Sequence, residues 1–302
     1  GVGGMTARVF VNRMWALLFG EGLCPSVEDF GGQGRPPTHP ELLDHLAQEF
    51  ISSGWDIHEL FRKMVLSRTY RQSSNPDPRA LEQDPENLLF SHQARYRLPA
   101  EMVRDTALVL SGLLIDRLGG PSVKPPQPKH YYRPLNFPPR RYKPDMNQEQ
   151  WRRGVYVHWQ RQFLHPMLLA FDAPVREDCT ARRARSNTPL ASLVLMNDPV
   201  FVEAARGFAQ RILGHGLSND EEAIAFAMRA ATCRQPQPEE VAVLTSLLVA
   251  SREYFAANPD EAKSLLAVGS SPVPEASKPN ELAAWAEVTR AILNLHETIT
   301  RE

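Results

Sequence analysis

Four arginines within ten residues form the densest group of side chains that could carry chemistry: Arg176, Arg182, Arg183 and Arg185. Guanidinium groups at this spacing repel one another, so carboxylates, backbone carbonyls or a bound anion must oppose their charge. Arginine holds carboxylate, sulfate and phosphate groups through two parallel hydrogen bonds. The stretch therefore predicts either an internal salt-bridge network or a site for an anionic ligand.

Polar and aromatic side chains elsewhere in the chain could complete a binding site. Aromatic rings beside guanidinium groups suit acidic sugars as well as nucleotides, because the rings offer stacking surfaces. Arg104 and Arg161 have the same character. In the alternative interpretation these groups only neutralise one another and tie loops to helices. The predicted ligand-binding residues are Arg8, Asn12, Arg13, Trp15, Arg153, Tyr156, Trp159, Arg176, Arg182, Arg183, Arg185, Asn187 and Thr188.

Carboxylates in the same region are the only acid–base candidates for catalysis. Glycoside cleavage needs two carboxyl groups about 5–10 Å apart in a cleft, and a sequence does not give that separation. A polysaccharide-acting enzyme is therefore the alternative function. The candidate catalytic residues are Asp172, Glu177, Asp105 and Asp198.

Complete catalytic and metal-binding motifs are absent from the sequence. His58-Glu59 and His296-Glu297 each lack the second histidine of a zinc-binding HExxH helix. No GxSxG nucleophile elbow, Walker loop or EF-hand loop occurs. We therefore expect no metal and no cofactor in this chain.

The three cysteines, Cys24, Cys179 and Cys233, lie far apart and form neither CxxC nor CxxCH. This spacing excludes a local zinc knuckle and a c-type haem attachment site. An odd number of cysteines argues against a disulfide framework but leaves one bridge open.

Charge is balanced overall, with 34 basic and 35 acidic residues among 302, which gives no argument for nucleic acid or membrane as a partner. Residues 119–153 nevertheless have eight basic and two acidic residues, a net charge of +6. Residues 214–302 have seven basic and thirteen acidic residues, a net charge of −6. The two segments could dock on each other, or one could face an anionic partner. Binding of single-stranded nucleic acid by 119–153 is the weaker alternative.

No apolar run is long enough to span a membrane.

Apolar periodicity predicts a mainly α protein, a multi-helix orthogonal array with long, ordered, Pro-rich loops and at most a short β segment. Helix 5–19 should bury one apolar face, and its second face either packs or lines a pocket. The first face comprises Ala7, Phe10, Met14, Leu17 and Leu18, and the second comprises Arg8, Asn12, Trp15 and Phe19.

Capping signals place the other helices. Thr38 and Asp56 should each open a helix with a glutamate three residues later. A helix from Pro99 should end at Gly119-Gly120, and 154–159 should be a short extended segment. Four more helices are predicted over 199–213, 220–233, 238–256 and 281–299. Residues 121–150 contain eight prolines but also four aromatic rings, which indicates an ordered excursion pinned by those rings.

Several separated motifs resemble one known family in order along the chain. They include TARVFVNRMWALLFGEGL, PPTHPELLDHLAQEF, SGWDIHELFRKMVLSRTYRQSS and FDAPVREDCTARRARSNTPLASLVLMNDPVFVEAA. The family is the planctomycete-type domain of unknown function (PSD-type) found C-terminal to planctomycete cytochrome c domains. The resemblance covers nearly the whole chain and implies one domain, 1–302, with a subdivision at 1–118, 119–198 and 199–302. The leading GVGG departs from the family pattern and indicates a piece of a longer protein.

The resemblance implies context more than chemistry. It implies an extracytoplasmic location, in the periplasm or at the cell surface, and haem only in neighbouring domains of the full-length protein. The expected partners are those domains, including cytochrome c modules, and acidic or sulfated glycans. We therefore expect an accessory module that binds an anionic or carbohydrate ligand, or docks its neighbouring domains, through the arginine-rich site.

Overall fold

The structure, a computed structural model, describes residues 2–132, 141–160, 163–274 and 278–301. This part of the chain is mainly α-helical, which confirms the predicted fold class. Its strands Tyr96–Arg97 and Thr300–Arg301 pair in a two-stranded sheet, and it has 3₁₀ turns at Gln148–Trp151 and Gly154–Tyr156. The α-helices are α1 (Val2–Phe19), α2 (Pro40–Ser52), α3 (Ile57–Leu66), α4 (Pro78–Gln83), α5 (Ala100–Ser111), α6 (Pro166–Leu169), α7 (Pro189–Asn197), α8 (Pro199–Gly214), α9 (Asp220–Thr232), α10 (Pro238–Ala257), α11 (Pro259–Leu266), α12 (Pro279–Leu293) and α13 (His296–Ile299).

The chain divides into two compact units. Unit 1 comprises residues 1–96, 179–183 and 300–302, and unit 2 comprises 97–178 and 184–299. Within the described residues, no helix is long and apolar enough to cross a membrane.

In unit 1, helix α1 packs against α2 and α3 through its aromatic face. Trp15 and Phe19 are buried and stack with their ring centroids 3.9 Å apart, so the second predicted face is a core face. Leu17, predicted to be inward, is 48% exposed, and that part of the prediction is wrong. Large rings bury more apolar area than leucine, and the helix turns them toward α2 and α3.

Two predicted helix starts in unit 1 had different outcomes. The Asp56 side chain accepts a hydrogen bond from the Glu59 N–H at 3.1 Å, which confirms the cap of α3. Thr38 does not cap α2, because its hydroxyl donates to the Leu23 carbonyl at 3.2 Å. His39 precedes Pro40 instead, and the chain enters the helix without a side-chain cap.

Unit 2 is built on α8, which packs against α5, α7, α9 and α12. Phe201, Ala204, Ala205 and Phe208 are all fully buried, so one face of the predicted helix 199–213 lies in the core. Helices α10 and α11 pack against α12 to complete the core.

Several predicted boundaries in unit 2 were wrong. Helix α5 ends at Ser111, not at Gly119-Gly120, because Gly112 adopts a left-handed conformation (φ +75°) at low cost. A separate helix, α11, follows α10 without having been predicted. The predicted helix 281–299 is two helices, α12 and α13.

The Pro-rich segment 121–150 is ordered where the structure describes it. The Tyr131 hydroxyl donates to the Leu164 carbonyl at 3.0 Å, and the Tyr142 hydroxyl donates to the Pro125 carbonyl at 2.6 Å. The Tyr132 and Tyr142 rings meet edge to face at 5.3 Å. These contacts confirm an excursion pinned by its rings, while Arg133, Phe137 and Arg140 lie outside the described residues.

The predicted extended segment 154–159 is only partly extended. It begins with the 3₁₀ turn Gly154–Tyr156, after which Val157 forms a single parallel bridge with Val123. Gly154 lies against α5, and a Cβ there would come within 2.8 Å of the Glu101 Cα. Close backbone approach therefore requires glycine at this position.

Candidate functional site

The deeply buried arginines of unit 2 include none of the four in the arginine-rich stretch. Arg104 is fully buried on α5 and donates to the carbonyl oxygens of Arg152, at 2.6 Å, and Gln150. Burial lowers the pKa of Arg104 to about 10, although the nearby carboxylates of Asp105 and Asp198 oppose that shift. Arg104 thus satisfies backbone carbonyls of the loop that crosses α5.

Arg152 has a similar role and explains the position of Tyr156. Its guanidinium, in a fully buried side chain, donates to the carbonyl oxygens of Pro121 at 2.8 Å, Arg117 at 3.0 Å, and Gly119. The same group lies 3.8 Å from the centre of the Tyr156 ring. Tyr156, predicted to bind ligand, therefore packs against an internal cation.

Glu203 and Arg206 form a second buried polar group, on α8. Glu203 accepts hydrogen bonds from the N–H groups of Ser270 and Ser271, both at 2.6 Å, and from Trp151 Nε1 at 3.1 Å. Arg206 donates to the Ser271 carbonyl at 2.7 Å. The pair fastens the loop after α11 to the central helix.

Asp172 and Arg97 anchor the start of the arginine-rich stretch. Arg97, only 4% exposed, donates to the Asp172 carboxylate at 2.5 Å and to the Phe171 carbonyl at 3.1 Å. Asp172 also accepts the Ser186 N–H at 2.7 Å. Burial opposes ionisation of Asp172, but the Ser186 hydrogen bonds and the Arg97 guanidinium together lower its pKa. This part of the stretch is an internal ion-pair network.

The other candidate carboxylates differ in their surroundings. Asp105 accepts the Gly154 N–H at 2.6 Å, and burial raises its pKa. Asp198 caps α8 by accepting the Val200 N–H at 2.9 Å, and burial raises its pKa to about 6. Glu177 is exposed. Asp105 and Asp198 thus have structural partners already, and their catalytic role stays a prediction.

The four arginines of the stretch are all exposed. Arg182, in unit 1, pairs with Glu21 at 2.5 Å. Arg176, in unit 2, stacks over the Trp159 ring at 3.8 Å. Its backbone is left-handed (φ +60°), a conformation that costs a residue with a Cβ about 1 kcal/mol. Strain of this kind is concentrated at functional sites.

Trp159 adds a second observation at the same place. Its indole Nε1 is buried and has no hydrogen-bond partner among the described residues. Trp15 Nε1, in the core of unit 1, likewise has no partner among the described residues, so it is the contact with an exposed guanidinium that distinguishes Trp159. Trp159 and Arg176 therefore form the candidate site, an exposed guanidinium held on an aromatic ring; Arg161 lies outside the described residues.

The remaining predicted site residues of unit 2 have local partners. Arg153 forms two hydrogen bonds with Asp116, at 2.7 and 3.0 Å. The Asn187 amide lies 3.2 Å from His296 Nε2. Thr188 caps α7 through the Ala191 N–H at 3.3 Å, and the side chain of Arg185 is exposed.

The predicted site residues of helix α1 belong to unit 1. Asn12 is fully buried, and its amide exchanges two hydrogen bonds with the Cys24 backbone, at 2.7 and 2.9 Å. Arg8 pairs with Asp44 at 2.9 Å, Trp15 belongs to the core, and Arg13 is exposed. Asn12 and Trp15 thus hold the unit together.

Cys24, Cys179 and Cys233 are all free thiols. In the described ranges, no three histidine, cysteine or carboxylate side chains form a cluster that could hold a metal ion.

Comparison with known proteins gives one match. A family model described as PSD1, protein of unknown function (DUF1553), matches residues 4–248. No curated protein and no solved structure matches the chain. The match spans most of the 302 residues and confirms the resemblance drawn from the sequence motifs. The chain therefore belongs to the PSD1 (DUF1553) family of domains of unknown function.

Proposed function

We propose that this domain is an accessory module that binds an acidic carbohydrate at the Trp159–Arg176 pair. The observation that carries the proposal is the exposed Arg176 guanidinium, stacked at 3.8 Å on the Trp159 ring. Stacking fixes the plane of the guanidinium and leaves its N–H groups free to hold a carboxylate or a sulfate in bidentate fashion. A pre-organised donor loses less entropy when the ligand binds.

The local chemistry supports an anion as the ligand. Arg176 forms no ion pair with a carboxylate among the described residues, and the carboxylate of Asp172, four positions earlier in the chain, is engaged by Arg97 and Ser186. A sugar carboxylate would satisfy the exposed Arg176 guanidinium.

The test uses oligogalacturonate, with its methyl ester as the uncharged control on the same backbone. The unmodified chain should melt at a higher temperature with oligogalacturonate than with the ester, because a ligand of the native state stabilises it. Arg176→Ala should abolish the shift, and Arg176→Lys should reduce it, since lysine keeps the charge but loses the planar fork. Arg229→Ala, at another exposed arginine, is the matched control. Equal shifts for Arg176→Ala and the unmodified chain would refute the proposal.

We place the module in an extracytoplasmic, multidomain protein whose neighbouring domains carry haem. The support is the context implied by the family resemblance. Fractionation of source cells with an antibody against this domain tests the location, and recovery in the cytoplasmic fraction would contradict it. Docking of the neighbouring domains at the same site is tested by adding them to the isolated domain, where Arg176→Ala should weaken their binding.

A polysaccharide-acting enzyme is the second candidate, favoured by the pKa of Asp198, which burial raises to about 6. A carboxyl group with such a pKa can donate a proton near neutral pH. If the domain cleaves a glycan, Asp198→Asn should abolish turnover while leaving glycan binding intact. Full turnover by that variant would remove Asp198 from the mechanism.

A further inference from the structure

The basic segment of unit 2 presents cations that nothing in the described chain neutralises. Lys129, Arg141 and Lys143 are exposed, and no hydrogen bond or ion pair engages their side chains within the described residues. Lys124, in the same segment, is partly buried. The nearby Asp145 carboxylate accepts the Lys124 backbone N–H at 2.7 Å. We call Lys124, Lys129, Arg141 and Lys143 the basic loop surface.

The acidic segment 214–302 does not supply the missing partners. Arg234 pairs with Glu240 at 2.7 Å and with Glu297 at 2.6 Å. Arg252 similarly engages two carboxylates of the same segment. Between 119–153 and 214–299 the structure gives no ion pair in the part it describes. The opposite net charges of the two segments are therefore not explained by docking on each other, and an external anion becomes the better explanation.

The backbone segments that carry these cations contact one another. The Tyr132 ring packs edge to face on Tyr142, which joins the segment of Lys129 to that of Arg141 and Lys143. The Tyr142 hydroxyl is bonded to Pro125, next to Lys124. The backbone of Lys124 pairs with that of Asp145 at 2.9 Å. The backbone that carries the basic loop surface is therefore pinned to itself by ring and hydrogen-bond contacts.

The same packing decides between two kinds of polyanion. Proteins that bind single-stranded nucleic acid stack bases on exposed aromatic faces. Here Tyr131, Tyr132 and Tyr142 pack against one another or against Phe163, and the hydroxyls of Tyr131 and Tyr142 are bonded to carbonyls. These three rings are thus occupied, and among the described residues of the segment the exposed charges remain for recognition.

From this geometry we infer that the basic loop surface binds a sulfated polysaccharide chain through charge contacts. Exposed lysines and arginines without a shaped pocket recognise charge density, and sulfate esters give a glycan its highest charge density. The inference does not depend on the Trp159–Arg176 proposal, because it is carried by different residues.

The test compares dextran sulfate with unsulfated dextran, which share a backbone, using the full chain. We expect binding of dextran sulfate that weakens as salt is raised, and no binding of dextran. The triple variant Lys129→Gln, Arg141→Gln, Lys143→Gln should bind about tenfold more weakly. The charge-matched control Arg68→Gln, Arg79→Gln, Arg229→Gln removes three exposed cations elsewhere and should lose less than about twofold.

Four results would overturn the inference. Dextran sulfate could fail to bind, or the two triple variants could lose equal affinity, which would indicate only a non-specific charge effect. A thymidine oligonucleotide could bind more tightly than dextran sulfate and be lost in the site variant, which would assign nucleic acid instead. Finally, Arg176→Ala could abolish dextran sulfate binding while the site triple retains it, which would place the sulfate at Trp159–Arg176.

Discussion

The buried and exposed arginines of unit 2 use the same side chain in opposite ways. Arg104 and Arg152 are fully buried and donate to backbone carbonyls of the loops around α5. Arg176 is exposed and rests on the Trp159 ring. A buried guanidinium must find acceptors inside the protein, whereas an exposed one keeps its donors for solvent or ligand. The comparison shows that arginine density along a sequence does not identify the arginines on which the fold depends.

Removal of a buried guanidinium should destabilise the protein more than any other change considered below. Arg104→Met should lower the free energy of unfolding by about 4 kcal/mol, because carbonyls of residues 150 and 152 lose their donors in a dry interior. Urea unfolding measures this difference. Arg176→Met, the exposed counterpart, should cost less than about 1 kcal/mol, the value of its stacking contact. If Arg104→Met and Arg176→Met lowered the free energy of unfolding equally, the distinction between buried and exposed arginines would be wrong.

The next effect concerns the Glu203–Arg206 group. Gly269 has a left-handed backbone (φ +91°), and a Cβ there would collide with the buried Glu203 carboxyl group. Gly54 is also left-handed (φ +73°) but has open space around it. Gly54→Ala should cost about 1 kcal/mol for its backbone alone. Gly269→Ala should cost about 3 kcal/mol in the same unfolding assay, because displacement of Glu203 is added. If the two variants lost similar free energies of unfolding, the loop around Gly269 would have to shift and leave Glu203 in place.

The smallest effect is on the pH dependence of stability. The native pKa of Asp198, about 6, lies above its ordinary value of 3.8, so the native state holds this proton more tightly than the unfolded state. The contribution of Asp198 to the free energy of unfolding should therefore fall as pH rises from 3.8 to about 6. Asp198→Asn keeps an acceptor for the Val200 N–H but cannot ionise, so it should gain about 2 kcal/mol over the unmodified chain across that window. Parallel pH profiles in urea would contradict the shift.

Local signals in the sequence predicted much of the fold. Asp56 caps α3 as its side chain and the glutamate three residues later predict, since capping depends on residues two or three positions away. We predicted the end of α5 at Gly119-Gly120, but the helix ends at Ser111, before Gly112. Gly112 and Gly119 both have left-handed backbones, so the sequence does not show which glycine ends the helix.

The candidate site was predicted less completely. Trp159 and Arg176 were both among the predicted residues, but nothing in their spacing of seventeen positions indicates that they stack. Tyr156 and Asp172 were predicted beside them, yet their partners, Arg152 and Arg97, come from distant segments. From the sequence, the cations of the basic loop surface could be recognised only as the net charge of residues 119–153. Whether each cation forms an ion pair depends on which carboxylates the fold brings near it.

The helical fold class, most helix starts and the family could all be predicted from the sequence, since they follow from short-range periodicity, capping chemistry and ordered motifs. Which arginines are buried against backbone carbonyls and which stay exposed became clear only from the folded chain. Burial depends on segments that are remote in the chain but adjacent in space, and desolvation then fixes whether a guanidinium serves the fold or a ligand.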